Sequence, residues 1–223
     1  MIRAVIFDMY ETLITHYRCP LYFSAEMAAD AGLPAEDFQR LWHATEEART
    51  TGRLTLEDAL ADILRAQGRY DPALVEILVR RRTATKEECF RHLHEGILPM
   101  LAALKERGMM VGLISNCFSE EAAVIRRSVL YPCFDAPLLS WEEGLQKPDE
   151  AIFRRCMARL NVAPEECLYV GDGGSHELET ARGLGMTALQ AAWYLREDAL
   201  QPCSRKPDFP QLEHPMDVLA HLV

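Results

Sequence analysis

The sequence predicts an α/β fold: a doubly wound parallel sheet carrying an inserted α-helical domain. Three observations predict it. Short apolar runs rich in β-branched residues alternate with segments of helical periodicity, most clearly after residue 95. The stretch 15–94 carries helix signals and no strong strand. Polar and charged residues stand at the carboxyl ends of the apolar runs, which is where such sheets bind ligands.

Arg3-Ala4-Val5-Ile6-Phe7-Asp8 reads as a buried strand ending in a carboxylate. After Thr12-Leu13-Ile14 the pattern changes. Gly32 suits a helix stop, and Pro34 suits the first turn of a helix running through Phe38, Leu41 and Trp42. Thr55 caps 56–64, and Asp71-Pro72 opens a helix through Leu74, Ile77 and Leu78. Linkers are rarely this long, so 15–94 is read as a helical domain inserted into a core of 1–14 and 95–223. Alternation then resumes. A helix through Ile97, Leu101 and Leu104 stops at Gly108, and 109–115 is a strand. Ser119 caps the next helix, with Glu120 and Glu121 favourable in its first turn. A weaker strand follows at 136–140, then a helix through Ile152, Phe153, Cys156, Met157 and Leu160. The strand 167–170, the helix 175–184 and the strand 187–192 complete the pattern. The tail from Gln201, with Pro202, Pro207, Pro210 and Pro215, reads as irregular until 216–223. Strands separated by helices give a parallel, Rossmann-like sheet covered on both faces.

Composition narrows the function classes. Lys and Arg number 24 against 34 Asp and Glu, a net charge of −10 over 223 residues, which speaks against a nucleic-acid partner. No apolar run reaches the roughly 18–20 residues that span a bilayer. The apolar start meets Asp8 too early for a signal peptide. Seven cysteines, an odd number without a CxxC pair, read as reduced thiols of a cytoplasmic protein.

The strand ends supply the chemistry. The first gives Asp8-Met9-Tyr10-Glu11-Thr12, the second Ser115-Asn116, the loop after the third Lys147-Pro148, and the fourth Gly171-Asp172-Gly173-Gly174 with Glu177 beyond it. Together they offer a carboxylate nucleophile, donors for phosphate oxygens, a cation against developing charge and hard oxygen ligands for Mg²⁺.

Phe7-Asp8-Met9-Tyr10-Glu11-Thr12-Leu13 resembles the first motif of the haloacid dehalogenase (HAD) superfamily. Ile114-Ser115-Asn116, Lys147-Pro148-Asp149 and Val170-Gly171-Asp172 with Glu177 resemble its second, third and fourth motifs, in order. The helical insert is similar to the family's cap domain. The resemblance implies that Asp8 is a nucleophile forming a covalent aspartyl intermediate. It implies that Thr12, Ser115 and Asn116 hold phosphate oxygens, and that Lys147 orients Asp8. Mg²⁺ would be held by Asp8, the Tyr10 carbonyl and Asp172, with Glu177 a supporting acid or a ligand through water.

Tyr10 departs from the pattern. Family phosphatases carry an aspartate there, which protonates the leaving group and then activates water. Tyrosine, with a pKa of about 10, donates a proton but is a poor base. Tyrosine resembles the 2-haloacid dehalogenase branch, which attacks carbon and uses no metal. Asp172 and Glu177 argue the other way. Dehalogenases resembling this family have Ser and Asn there, and carboxylates crowded beside Asp8 repel it unless a cation sits between them. The expectation is therefore a Mg²⁺-dependent hydrolase of a small phosphorylated metabolite, with Asp8, Tyr10 and Lys147 catalytic. The alternatives are a dehalogenase-like hydrolase and a binding protein with little turnover. Glu11 is expected to be a solvated or cap-facing charge on an extended segment, and Arg80-Arg81-Arg82 a solvated helix face. His176 either touches substrate or solvates its loop. Tyr17, Arg18, Tyr22 and Trp42 are candidate pocket residues, though aromatics at this spacing are more often core.

Overall fold

Ala4–Phe7 (β1), Met110–Ser115 (β2), Ala136–Leu139 (β3), Cys167–Gly171 (β4), Thr187–Ala191 (β5) and Gln211–Leu212 (β6) form one parallel sheet in the order β3-β2-β1-β4-β5-β6. The computed structural model describes residues 1–196 and 203–222. β1 is central and every residue of it is buried. Its alternation divides the core. Val5 and Phe7 face Ile97, Leu101 and Leu104 of α6 (Ile97–Glu106) and Ile125 of α7 (Ser119–Arg127). Ala4 and Ile6 face Phe153 and Leu160 of α9 (Glu150–Leu160) and Leu178 of α10 (Glu177–Gly183). Close seating of α9 depends on Gly112. A Cβ there would stand 2.9 Å from Cys156 Sγ and 3.1 Å from Ile6 Cγ1.

Between β1 and α6 lie α1 (Ser24–Ala31), α2 (Ala35–Ala44), α3 (Glu46–Thr50), α4 (Leu56–Ala66) and α5 (Pro72–Cys89). They have an apolar cluster of their own, built on Met27, Phe38, Trp42, Leu60, Leu64 and Leu78. The expected caps are made: Thr55 Oγ1 accepts from Asp58 N, and Asp71 Oδ1 from Ala73 N. A one-turn helix, α8 (Ser140–Glu143), follows β3. β6 was not expected, because two residues behind Pro210 are too few to show alternation. It is held by Gln190 N donating to Pro210 O and Ala192 N to Leu212 O. Gln201, Pro202 and Val223, in the tail read as mostly irregular, lie outside the described residues.

The arginine run corrects one expectation. Arg82 is buried, not solvated. It donates to Glu120 at 2.6 Å and Glu121 at 3.2 Å, and Lys86 pairs with Glu121 at 2.8 Å. These pairs join α5 to the first turn of α7, and no local pattern announces partners so far away in sequence. Burial alone would raise the Glu121 carboxyl, but Lys86 and Arg82 outweigh it and hold it at about 2. Removing one member strands buried charge, so Arg82→Met should cost about 3–5 kcal/mol, read as a lower urea midpoint. Because the folded pKa of Glu121 is depressed, its contribution is present above the unfolded value of about 4.3. It is lost as pH falls from there through about 2. Glu121→Gln should flatten the acid limb of the stability profile in that window.

Candidate active site

The sheet reverses its winding between β1 and β4, and the crevice beyond that point is where the site forms. Asp8 is the first residue past β1, and its N–H still donates to Val170 O at 2.9 Å. Its Oδ1 accepts from Met9 N at 2.7 Å and from Lys147 Nζ at 2.6 Å. Lys147 lies in the loop before α9, and its peptide bond to Pro148 is cis. Asn116 fixes that loop. Its side-chain nitrogen donates to Lys147 O at 3.0 Å, and its Oδ1 accepts from Lys147 N at 2.8 Å. The sequence reading gave this amide to a phosphate. The structure engages both its ends with the main chain of Lys147, so Asn116 positions the lysine.

Asp172 follows β4, and its Oδ1 accepts from Gly174 N at 3.0 Å. Gln190 donates to its carbonyl at 2.7 Å from β5. Glu177, at the start of α10, is wholly buried and accepts from Gly173 N and Ser175 N, each at 2.7 Å, so it ties the whole loop. Gly171 makes room for it, since a Cβ there would stand 2.9 Å from Glu177 Oε1. One carboxylate oxygen from each of Asp8, Asp172 and Glu177 lies within 4.8 Å of the others.

Three buried acids share one cation. Burial pushes the Asp8 carboxyl up, Lys147 pulls it down and Glu177 pushes it up again, to about 6 in balance. Burial, then Glu177 and Asp8, raises Asp172 far above the ordinary carboxylate range. Burial works against charge on Lys147, but Asp8, Glu177 and Asp172 outweigh it and raise its pKa. A set of buried, mutually repelling carboxylate oxygens fits a hard divalent cation such as Mg²⁺.

Thr12, four residues after Asp8, and Ser115, at the end of β2, are fully buried. Among the described residues, Thr12 Oγ1 has no hydrogen-bond partner, and Ser115 Oγ reaches only Asn116 O, at 3.5 Å. Tyr10 packs on His16 and Lys86 of the segment 15–94. Its ring stacks on His16, with centroids 4.6 Å apart and planes 7° apart, and Lys86 Nζ lies 5.3 Å from its centre. Its hydroxyl is buried without a partner among the described residues. Burial, then Glu121, holds its pKa well above the usual 10.

The segment after Asp8 is not extended. Leu13 N and Ile14 N both donate to Met9 O, and Glu11 has φ of 57°. This turn overturns the reading of Glu11 as a solvated charge on an extended segment, while its side-chain partners do lie in the segment 15–94. Glu11 is buried, accepts from Thr15 Oγ1 at 2.5 Å and His16 N at 3.0 Å, and bonds His16 Nδ1 at 3.0 Å. His16 Nε2 in turn meets Lys86 Nζ at 2.6 Å. Burial, then Lys86, lowers the His16 pKa, so it is neutral near pH 7. Nothing in the sequence marked His16, because its importance comes from the turn.

Two cavities share a wall of Tyr10, His16, Phe23, Asn116, Lys147 and Ser175. The inner one, about 290 Å³, reaches Asp8 and Asp172. The outer one, about 870 Å³, extends to Trp42, Phe118 and an exposed His176. Of the candidate pocket aromatics, Trp42 lines the outer cavity and Tyr17 the inner one. Tyr22 instead bonds Asp30, and Arg18 lies over the Tyr194 ring.

Residues 2–185 match the model of the haloacid dehalogenase-like hydrolase family. A glyceraldehyde 3-phosphate phosphatase of Methanopyrus kandleri is 26% identical over 240 residues, covering 98% of this chain and 96% of that protein. The solved 2-haloacid dehalogenase of Pseudomonas syringae superposes with a TM-score of 0.69 at 22% identity, covering 100% of both chains. A family enzyme of Bacteroides thetaiotaomicron, solved with magnesium and inorganic phosphate, gives a TM-score of 0.66 at 17% identity, covering 86% of this chain and 94% of that one. The four motifs, the sheet that carries them and the match over most of the chain agree, and the protein belongs to the haloacid dehalogenase-like hydrolases.

Proposed function

We propose that the protein is a Mg²⁺-dependent phosphatase of a small phosphorylated metabolite, acting through an aspartyl-phosphate on Asp8. The carrying observation is the Asp8, Asp172 and Glu177 oxygens within 4.8 Å of one another. A nucleophile that needed no metal would be hindered by two further carboxylates.

Asp8, the Tyr10 carbonyl and Asp172 would hold Mg²⁺, with Glu177 bracing the loop or ligating through water, and the ion would offset charge on the transferring phosphoryl group. Lys147 keeps Asp8 ionised and aimed, since its ammonium fixes Oδ1. An Asp8 oxygen then attacks phosphorus as the bond to the ester oxygen breaks. Thr12 and Ser115 supply hydroxyls to the phosphoryl oxygens. The unpartnered Thr12 Oγ1 is the kind of buried donor that a bound oxygen satisfies. Water then attacks the aspartyl-phosphate and regenerates Asp8. The segment 15–94 acts as a cap over the core of 1–14 and 95–223 and shapes the outer cavity. A cytoplasmic setting agrees with seven unbridged cysteines. No described helix is long and apolar enough to cross a membrane.

One observation favours a second reading, a dehalogenase. Tyr10 stands where a phosphatase needs an acid and a base, and its hydroxyl has a raised pKa and no partner. Mg²⁺ separates the two. At about one hundred times its Kd, Mg²⁺ should stabilise the fold by about 2.7 kcal/mol, or roughly 5–10 °C in Tm. Asp172→Ala should abolish that shift. A wild type indifferent to Mg²⁺ that releases chloride from 2-chloropropionate would establish the dehalogenase reading instead.

A further inference from the structure

The outer cavity constrains the substrate, given the phosphatase reading on which this inference rests. The inner compartment, about 290 Å³, has room for a phosphoryl group and a short chain. A triose phosphate would leave the 870 Å³ beyond it empty, although that volume is typical of a dedicated ligand pocket.

The lining also has a sign. Among the described residues, each lysine and arginine on it is already paired inside the protein. Arg82 bonds Glu120 and Glu121, Lys86 bonds Glu121, and Lys147 bonds Asp8. Glu46 and Glu47 stand exposed on the same lining, Glu47 paired with Arg53 at 2.5 Å and Glu46 without an ion pair among the described residues. Arg49 lies behind the wall. Its guanidinium is 3.5 Å from the Trp42 ring centre and 4.0 Å from that of Phe118, and the residue is 1% exposed. A second carboxylate or phosphate entering with the substrate would find no free cation on the lining and would face the exposed Glu46. Trp42 and Phe118 offer aromatic surface in its place.

We propose that the substrate is a phosphate monoester whose organic part is bulkier than a triose, partly aromatic or apolar, and without a second negative charge. The outer cavity selects for size and against anions, while the inner compartment recognises the phosphate.

The test compares the methyl ester and the free acid of para-carboxyphenyl phosphate, the same frame without and with the extra charge, together with glyceraldehyde 3-phosphate. Binding is measured calorimetrically on Asp8→Asn with Mg²⁺ present, so that affinity is read apart from turnover. The methyl ester should bind at least about tenfold tighter than the free acid and than glyceraldehyde 3-phosphate. In the Asp8→Asn background, Glu46→Gln with Glu47→Gln should narrow the gap between the two aryl phosphates severalfold. The inference is overturned if the free acid or the triose phosphate binds as tightly as the methyl ester, or if neither aryl phosphate binds. If binding discriminates as stated but the wild type frees phosphate from none of the three, the selectivity of the cavity stands and the phosphatase reading fails.

Discussion

Asp8→Asn should release no measurable phosphate from any ester, a loss of at least about 10⁴-fold in kcat. The amide keeps the shape of the carboxyl but cannot form the covalent anhydride. It also leaves the Lys147 ammonium facing a neutral group amid Asp172 and Glu177, so the pairing that aims the nucleophile is lost. The assay is phosphate release from an aryl ester with Mg²⁺, run beside the wild type. Substantial activity in the variant would remove Asp8 from the mechanism.

Tyr10→Asp should change the enzyme in the opposite direction. Positioned acid–base help contributes about 10²–10⁴-fold, and Tyr10 supplies little of it. Its hydroxyl is buried against the α5–α7 ion pairs and its pKa is raised well above 10. The wild type should therefore hydrolyse aryl phosphates, whose leaving oxygens need no proton, far better than alkyl phosphates. Breakdown of the aspartyl-phosphate should limit its turnover. An aspartate at this position, free of the stacking contact with His16, should restore much of the missing factor for alkyl esters. The comparison is kcat/KM on one aryl and one alkyl phosphate for both proteins. An efficient wild type without aryl preference, slowed by Tyr10→Asp, would show that another group is the base.

The parts that could be read from the sequence are those whose meaning is local. Asp8 and Asp172 stand at the ends of apolar runs and Lys147 in the loop after the third, and parallel pairing brings such ends to one edge of the sheet. The structure puts Lys147 Nζ 2.6 Å from Asp8, and one oxygen each of Asp8 and Asp172 within 4.8 Å. Glu11 was misread because its direction depends on a left-handed φ that no residue pattern announced. A single residue in that conformation redirects the chain, and the acid is buried against Thr15 and His16 where a solvated charge was one expectation. Asn116 was matched to its motif, but its side chain answers to a loop in the following segment. Arg82 looked like one of three surface arginines, because helical phase alone does not show which one meets α7. The two-residue β6 exists only through its pairing with β5, a tertiary fact.

The most direct measurement is the mass of the protein itself during turnover. Wild type incubated with Mg²⁺ and an excess of aryl phosphate, quenched in acid and digested, should show the peptide containing Asp8 heavier by one phosphoryl group. That adduct should accumulate, because Tyr10 cannot speed its hydrolysis, and it should be absent from Asp8→Asn and from metal-free samples. Phosphate release with no adduct on Asp8 at any quench time, or an adduct on another residue, would contradict nucleophilic attack by Asp8.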